Sequence, residues 1–401
     1  MEKEINNKQY KLSELIMLII ITTIIGFILG LSTFKTLSED KEEKTKVDDF
    51  ALERFIDNYN YIVQNYYGDL NKEELVEHAI SGMLESIDDP YTTYLDKNES
   101  NTFNTTLEGS FEGIGVEVIN DSDNNIIVYN VIEDSPASRA GIKSLDVIKS
   151  INGTSVENTK TSDFVKIIKN SSERTFQITL KRENDEVIVT LEREKVTIKS
   201  VNSEIFEKNN KKIGYIYISI FANNTYSQFK SELEKIEKEN IDSLIIDVRS
   251  NTGGYLTAAE NILGLFLDKN HVIYQTEDKS GTNKFYSSGT ITKTYPIVIL
   301  TNEASASASE ILTAALKEEY GAISVGKKTY GKGTVQELKT LPDGEQYKFT
   351  TKKWLTPNGN WINEIGIPAD VEVEFNKDYY ENQTPENDVQ LQKAIEIISN
   401  K

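Results

Sequence analysis

The segment Thr301-Asn302-Glu303-Ala304-Ser305-Ala306-Ser307-Ala308-Ser309-Glu310 lies between an apolar run ending at Leu300 and a helical pattern beginning near Ile311. A serine at a strand-to-helix turn is placed for nucleophilic attack, because the free backbone N–H groups of a helix start can hold an oxyanion. The alternating alanines keep the approach open. The same residues also read as plain structure: Ser307 with Glu310 three positions later is a capping box. Taken alone, the segment favours the capping box.

A nucleophilic serine needs a base, and the sequence offers few. The chain has no cysteine and only two histidines, His78 and His271, which excludes thiolate nucleophiles, disulfides and sulfur metal sites and leaves too few ligands for a histidine-rich metal site. His271 sits beside Asp268 and Lys269 at a strand start, where an exposed loop histidine accounts for it. A lysine takes the role when burial lowers its pKa, since desolvation disfavours the ammonium form. Lys332 is the candidate, within Gly326-Lys327-Lys328-Thr329-Tyr330-Gly331-Lys332-Gly333-Thr334-Val335-Gln336, where close glycines let the backbone approach another segment. The string is also a near miss for a phosphate-binding P-loop. Against a nucleotide hydrolase, Gly333 stands where Ser or Thr is required, and Thr334 to Leu338 reads as a strand where a helix must follow.

These residues need elements to hold them. Beyond Val201 the pattern alternates strand and helix: Ile213 to Ile220, Phe229 to Ile236, Leu244 to Val248, Ala258 to Phe266, Tyr295 to Leu300 and Ile311 to Leu316. That is an α/β arrangement with buried strands, followed by a short helix near Asp388 to Ile398. The stretch from Leu107 to Arg193 has short strands and turn chemistry instead. Ile126 to Ile132 reads as a strand, Ser135-Pro136 supplies an N-cap and first-turn proline, and Gly141 stops that helix. Val147 to Ile151 is a further strand, Phe164 to Ile168 a second helix, and Phe176, Ile178 and Leu180 alternate like a half-buried strand. Upstream, Leu52, Phe55, Ile56, Tyr59, Val63 and Tyr66 recur at helical spacing, and Val76, Ile80, Met83 and Ile87 form a second helical pattern that ends at Asp88-Asp89-Pro90.

From Leu15 to Phe34 run twenty residues without a charge, enough for a helix that crosses a hydrocarbon core of ~30 Å. Lysines on both sides leave the topology undecided by charge, and the N-terminal position favours a signal anchor with the rest outside the cytoplasm. Gly30-Leu31-Ser32 supports the alternative, a cleaved signal peptide and a secreted protein. Glu39 to Asp49 is a solvated spacer. At 401 residues the chain has room for two or three compact units. Its net charge of −20 argues against nucleic-acid binding, which selects for stripes of Lys and Arg.

With Ser307 and Lys332 on the page, the chain resembles the carboxyl-terminal processing peptidases, tail-specific serine proteases with a Ser-Lys pair and a PDZ domain. The resemblance runs from about Phe50 to Glu374, most specifically through Ala304 to Glu310 and Gly331 to Gln336. Asp89-Pro90-Tyr91 with Tyr94-Leu95, Phe111 to Val116, Ser135-Pro136-Ala137 with Arg139-Ala140-Gly141, Asp247 to Gly254, and Thr356 to Gly359 with Gly366-Ile367 fit in family order. Family spacing puts the nucleophile twenty-five residues before the lysine, selecting Ser307 over Ser305 and Ser309, and a glutamine four residues after it, Gln336.

Together with the Leu15 to Phe34 anchor, the resemblance implies a membrane-anchored serine endopeptidase without metal or other cofactor. Ser307 would be the nucleophile, Lys332 its base and Gln336 the residue orienting Lys332, with an oxyanion hole from Gly253 or Gly254 and Ala308. Gly113, Ile114, Gly115 and Val116 would meet the carboxylate of a protein C-terminus through backbone N–H groups. The stretch Lys169-Asn170-Ser171-Ser172 departs from the family, where an Arg-Gly pair is more usual, which removes support for a regulatory basic residue there. Asp247 and Arg249 are read as a buried ion pair that shapes the loop.

The expected organisation is a tail (1–14), a transmembrane signal anchor (15–34), a linker and helical region (35–106), a PDZ-like domain of strands and two helices (107–193), an α/β protease core (194–376) and a C-terminal helical tail (377–401). A non-catalytic membrane-tethered PDZ scaffold is the competing class. Partners would be peptides and proteins with free C-termini and the membrane, not nucleic acid; a homo-oligomer is left open, and the physiological substrate is not specified.

Overall fold

Ser243–Asp247 and Ile297–Thr301 are buried at every position, the composition required of central parallel strands covered on both faces. They lie side by side in a six-stranded sheet of order Val201–Lys208, Lys211–Ile218, Ser243–Asp247, Ile297–Thr301, Ile323–Gly326 and Val371–Glu372, antiparallel only in its first pair. Alternate side chains face opposite ways. Leu244, Ile246 and Ile299 join a core closed by helices Thr225–Glu237, Leu256–Leu263 and Ala308–Ala315. Ile245, Val298 and Leu300 join a second core closed by the C-terminal helix Val389–Ser399. The result is the expected α/β arrangement.

The structure is a computed structural model that describes residues 49–401 other than 292, 343, 377, 378, 380 and 381. The span expected at Leu15–Phe34 lies outside the described residues, and no described helix is long and apolar enough to cross a membrane. The chain divides into two units after Ala79. In the first, the expected apolar stripe lies on helix Asp49–Asn65, yet Leu52, Phe55 and Ile56 are exposed. The second helical pattern forms helix Lys72–Glu85 and stops short of Ile87.

Within the second unit, the PDZ-like region is a five-stranded antiparallel sheet with a short sixth strand. Its two helices are Pro136–Arg139, capped by Ser135 with proline in its first turn, and Thr161–Asn170. Phe176, Ile178 and Leu180 are buried on one face of strand Thr175–Arg182 while their neighbours are more exposed, as the alternation predicts.

A second antiparallel sheet is not anticipated by the sequence reading. It joins Thr93–Leu95, Gln346–Leu355, Val272–Asp278 and Gly281–Tyr286, with Thr334–Thr340 also paired to Gln346–Leu355. Helix Lys97–Glu108 is likewise unanticipated, because its sequence is almost wholly polar. Its signal is the capping box of Asp96 and Glu99 at its start.

Candidate active site

Two loops leave the carboxyl ends of the neighbouring parallel strands Ser243–Asp247 and Ile297–Thr301, the position where open α/β sheets place ligands. Buried polar groups fasten these loops together. Ser305 Oγ donates to the Val248 carbonyl and Ser309 Oγ to the Asn251 carbonyl, both at 2.8 Å. Ala306 N–H donates to the same Asn251 oxygen at 3.0 Å. Ser305 and Ser309 are therefore buried and committed to backbone, while Ser307 between them is partly exposed. Of the three serines, Ser307 is the accessible one.

Ser307 has φ 56° and ψ −115°, a conformation that costs a non-glycine residue about 1–3 kcal/mol and marks turns that aim a side chain outward. Glu310 Oε2 accepts its N–H at 2.8 Å, so the capping-box reading also holds. The Glu310 carboxylate is fully buried and accepts three further hydrogen bonds, from Thr329 Oγ1 at 2.6 Å, Gly331 N–H at 2.7 Å and Lys332 N–H at 2.9 Å. Burial raises its pKa, and these donors oppose the rise. One acid thus ties the backbone of Ser307 to that of Lys332.

The glycines around Lys332 do what the sequence suggests. A Cβ on Gly331 would lie 2.8 Å from Gly366 N, and one on Gly333 2.7 Å from Asn363 N. No helix follows Lys332, because Thr334–Thr340 is a strand, and the P-loop reading falls with it. The Lys332 ammonium lies 4.8 Å from the centre of the Tyr91 ring. Burial, aided by the like charge of Lys348, lowers its pKa to about 8, against the opposing pull of Asp89 and Glu310. A base that works as the free amine gains activity as it loses its proton. Accordingly kcat/KM should climb with pH through about 8 and level off above it. A rise centred near the ordinary histidine value of about 6.5 would contradict this.

Gly253 and Gly254 have φ 103° and 138°. A Cβ on Gly253 would stand 2.8 Å from Ser307 Cβ and 3.1 Å from Ala308 N, so only glycine fits against the serine turn. The Gly253 N–H is donated to Asn251 Oδ1 at 2.9 Å. Among the described residues, Gly254 N–H and the first-turn Ala308 N–H remain undonated. Ser307, Lys332, Gln336, Gly253 and Gly254 line one cavity of about 610 Å³. Gln336 donates to Thr334 Oγ1 and Thr350 Oγ1 at 2.8 and 3.1 Å and makes no hydrogen bond to Lys332 among the described residues.

Residues missed as functional are Tyr91, Asp89, Glu310 and Lys348. Asp89 accepts from Tyr91 N–H and Thr92 Oγ1, Thr92 Oγ1 accepts from Thr350 N–H, and this knot seats Tyr91 beside Lys332. His271 binds Glu319 at 2.9 Å and is not among the residues lining the cavity. The predicted ion pair of Asp247 and Arg249 exists, extended by Asp388.

A second cavity, of about 540 Å³, is lined by Gly113, Ile114, Gly115 and Val116 together with Phe164 and Lys169 of helix Thr161–Asn170. Gly115, at φ 83°, packs where a Cβ would lie 2.1 Å from Ser135 Cβ.

Comparison with known proteins agrees with this geometry. Peptidase family S41 matches residues 212–373, the PDZ domain 102–183 and the activating protease CtpB N-terminal domain 30–99. Carboxy-terminal processing protease CtpB of Bacillus subtilis is 37% identical over 83% of this chain and 69% of its own length. Carboxy-terminal processing protease CtpA of the same organism is 34% identical over 90% of this chain and 77% of its own. A putative S41 protease from Bacteroides fragilis, 17% identical with a TM-score of 0.52 over 84% of this chain and 98% of that one, shares the fold. These matches set aside the non-catalytic scaffold. With its PDZ domain and its S41 core, the chain belongs to the carboxy-terminal processing serine peptidases.

Proposed function

We propose that the protein is a membrane-anchored endopeptidase in which Ser307 attacks the scissile carbonyl carbon and Lys332 takes the hydroxyl proton. The tetrahedral oxyanion lies against the N–H groups of Gly254 and Ala308, with Gly253 shaping the turn. Collapse breaks the C–N bond, the leaving amine takes the proton from Lys332, and the acyl group stays on Ser307. Lys332 then removes a proton from water as its oxygen attacks the acyl carbon, and collapse breaks the ester C–O bond, the proton returning from Lys332 to Ser307 Oγ as the acid product leaves. Gln336, whose amide nitrogen donates to Thr334 and Thr350, keeps its side-chain oxygen for the Lys332 amine and orients it. The Gly113 to Val116 cavity captures the free C-terminus of the substrate, and the Leu15 to Phe34 segment keeps the catalytic part at the outer face of the membrane.

The observation that carries this reading is the isolation of Ser307. Its serine neighbours are bound to backbone, its own backbone is held at positive φ, and it shares a cavity with a half-buried lysine of lowered pKa. Acid quench of the enzyme during turnover of an activated peptide ester, followed by peptide mapping, should find the acyl group on Ser307. An acyl group on Ser305 or Ser309 would reassign the nucleophile.

A further inference from the structure

Lys348 stands in the catalytic cavity with no task in the reaction just described beyond its like charge on Lys332. It lies on strand Gln346–Leu355 directly opposite Leu338, and the next pair on that face is Thr350 with Gln336. Antiparallel partners share a face, so Lys348, Leu338 and Gln336 point together into the space that holds Ser307. The Lys348 ammonium lies 5.7 Å from the centre of the Phe103 ring, itself part of the cavity wall. No carboxylate comes within ion-pair distance of Lys348 among the described residues.

The charged groups around it are already engaged. Asp89 accepts from Tyr91 N–H and Thr92 Oγ1, Glu310 accepts four hydrogen bonds, and Lys332 has the same sign. Much of the remaining wall is apolar, including Leu107, Ile311, Val335 and Trp354. An unpaired ammonium in apolar surroundings is held at a cost that an incoming anion removes, and burial lowers the Lys348 pKa accordingly. In a chain of net charge −20 a half-buried cation that forms no ion pair among the described residues, felt only at longer range by Asp89, is a selective feature. Phosphate-bearing polymers are poor occupants for so acidic a protein. A peptide carboxylate fits.

We propose that Lys348 is a specificity-determining residue that binds a carboxylate of the peptide substrate inside the catalytic cavity, close to the scissile bond. The carboxylate comes from an Asp or Glu side chain or from the free C-terminus of a short peptide. The inference rests on the Ser307–Lys332 reading, since it assumes that substrate crosses this cavity.

The test walks a single Glu, against its isostere Gln, through the positions flanking the cut in an otherwise neutral peptide, with free-acid and amidated ends of each. Because Lys348 also bears on the Lys332 amine, only the ratio of kcat/KM between matched peptides is read. In the native enzyme one member of the series should favour the carboxylate by about tenfold to a hundredfold, as a charged hydrogen bond allows. That ratio should fall to about one in Lys348→Met, which keeps the apolar stem, and persist in Lys348→Arg. Collapse of the Glu/Gln ratio assigns the carboxylate to a side chain, and collapse of the acid/amide ratio assigns it to the terminus. An acid/amide preference that survives Lys348→Met beside a collapsed Glu/Gln ratio belongs to the Gly113 to Val116 cavity and supports the side-chain assignment. Ratios near one throughout in the native enzyme, or none that Lys348→Met alters, overturn the inference while hydrolysis of the neutral peptides upholds Ser307 and Lys332. Absence of hydrolysis of every peptide overturns the Ser307–Lys332 reading itself, and the inference with it.

Discussion

Ser307→Ala and Lys332→Ala should each lower peptide hydrolysis by on the order of 10⁴-fold or more, and the double variant should lose no more than either alone. The reason is mechanical. Without the hydroxyl there is nothing for Lys332 to deprotonate, and without the amine the hydroxyl stays a weak nucleophile. The fold should survive both changes, because the loops are fastened by Ser305, Ser309, Asn251 and Glu310 rather than by the reacting groups. His271→Ala should remain active, since His271 is bound to Glu319 and does not line the cavity. Steady-state rates beside circular dichroism of each variant check this. A single variant within tenfold of the native rate would remove that residue from the mechanism.

The second large effect is on stability. Arg249 donates to both oxygens of Asp247 and, through its two terminal nitrogens, to both oxygens of Asp388 at 3.0 and 2.7 Å. All three side chains are buried. The two acids raise the pKa of the guanidinium against the opposing effect of its burial. Arg249→Met strands two buried carboxylates, a change that costs about 3–5 kcal/mol. The urea midpoint should fall accordingly, and Arg249→Lys should not restore it, because a lysine cannot address both carboxylates with paired donors. Adding Asp247→Asn and Asp388→Asn to Arg249→Met should recover part of the loss by removing the unpaired charges. An Arg249→Met midpoint equal to the native one would show that the network contributes nothing net.

Much of this was legible in the chain. Leu244 to Val248 and Tyr295 to Leu300 announced central strands because both of their faces are covered, which leaves no room for polar alternation. Phe176, Ile178 and Leu180 announced a one-sided strand for the opposite reason. Strand Gln346–Leu355 escaped notice because Lys348 faces the cavity and the run Thr350-Thr351-Lys352-Lys353 breaks off the alternation that Tyr347 and Phe349 begin. The role of Asn251 was equally hidden. Its side-chain oxygen holds the Gly253 N–H, and nothing local marks a glycine amide as already bound. The site could be located from Ser307 and Lys332, whereas its wiring through Asn251, Glu310 and Tyr91 depends on neighbours distant in sequence.

The Arg249–Asp388 contact also has a bearing on timing. The two residues are separated by 139 positions, and a chain is made from its N-terminus. While Ser307 and Lys332 have already been translated, Arg249 still lacks half of its counter-charge. A nascent or prematurely terminated chain that stops short of Asp388 therefore holds Ser307 and Lys332 but leaves Arg249 with only one of its two carboxylate partners.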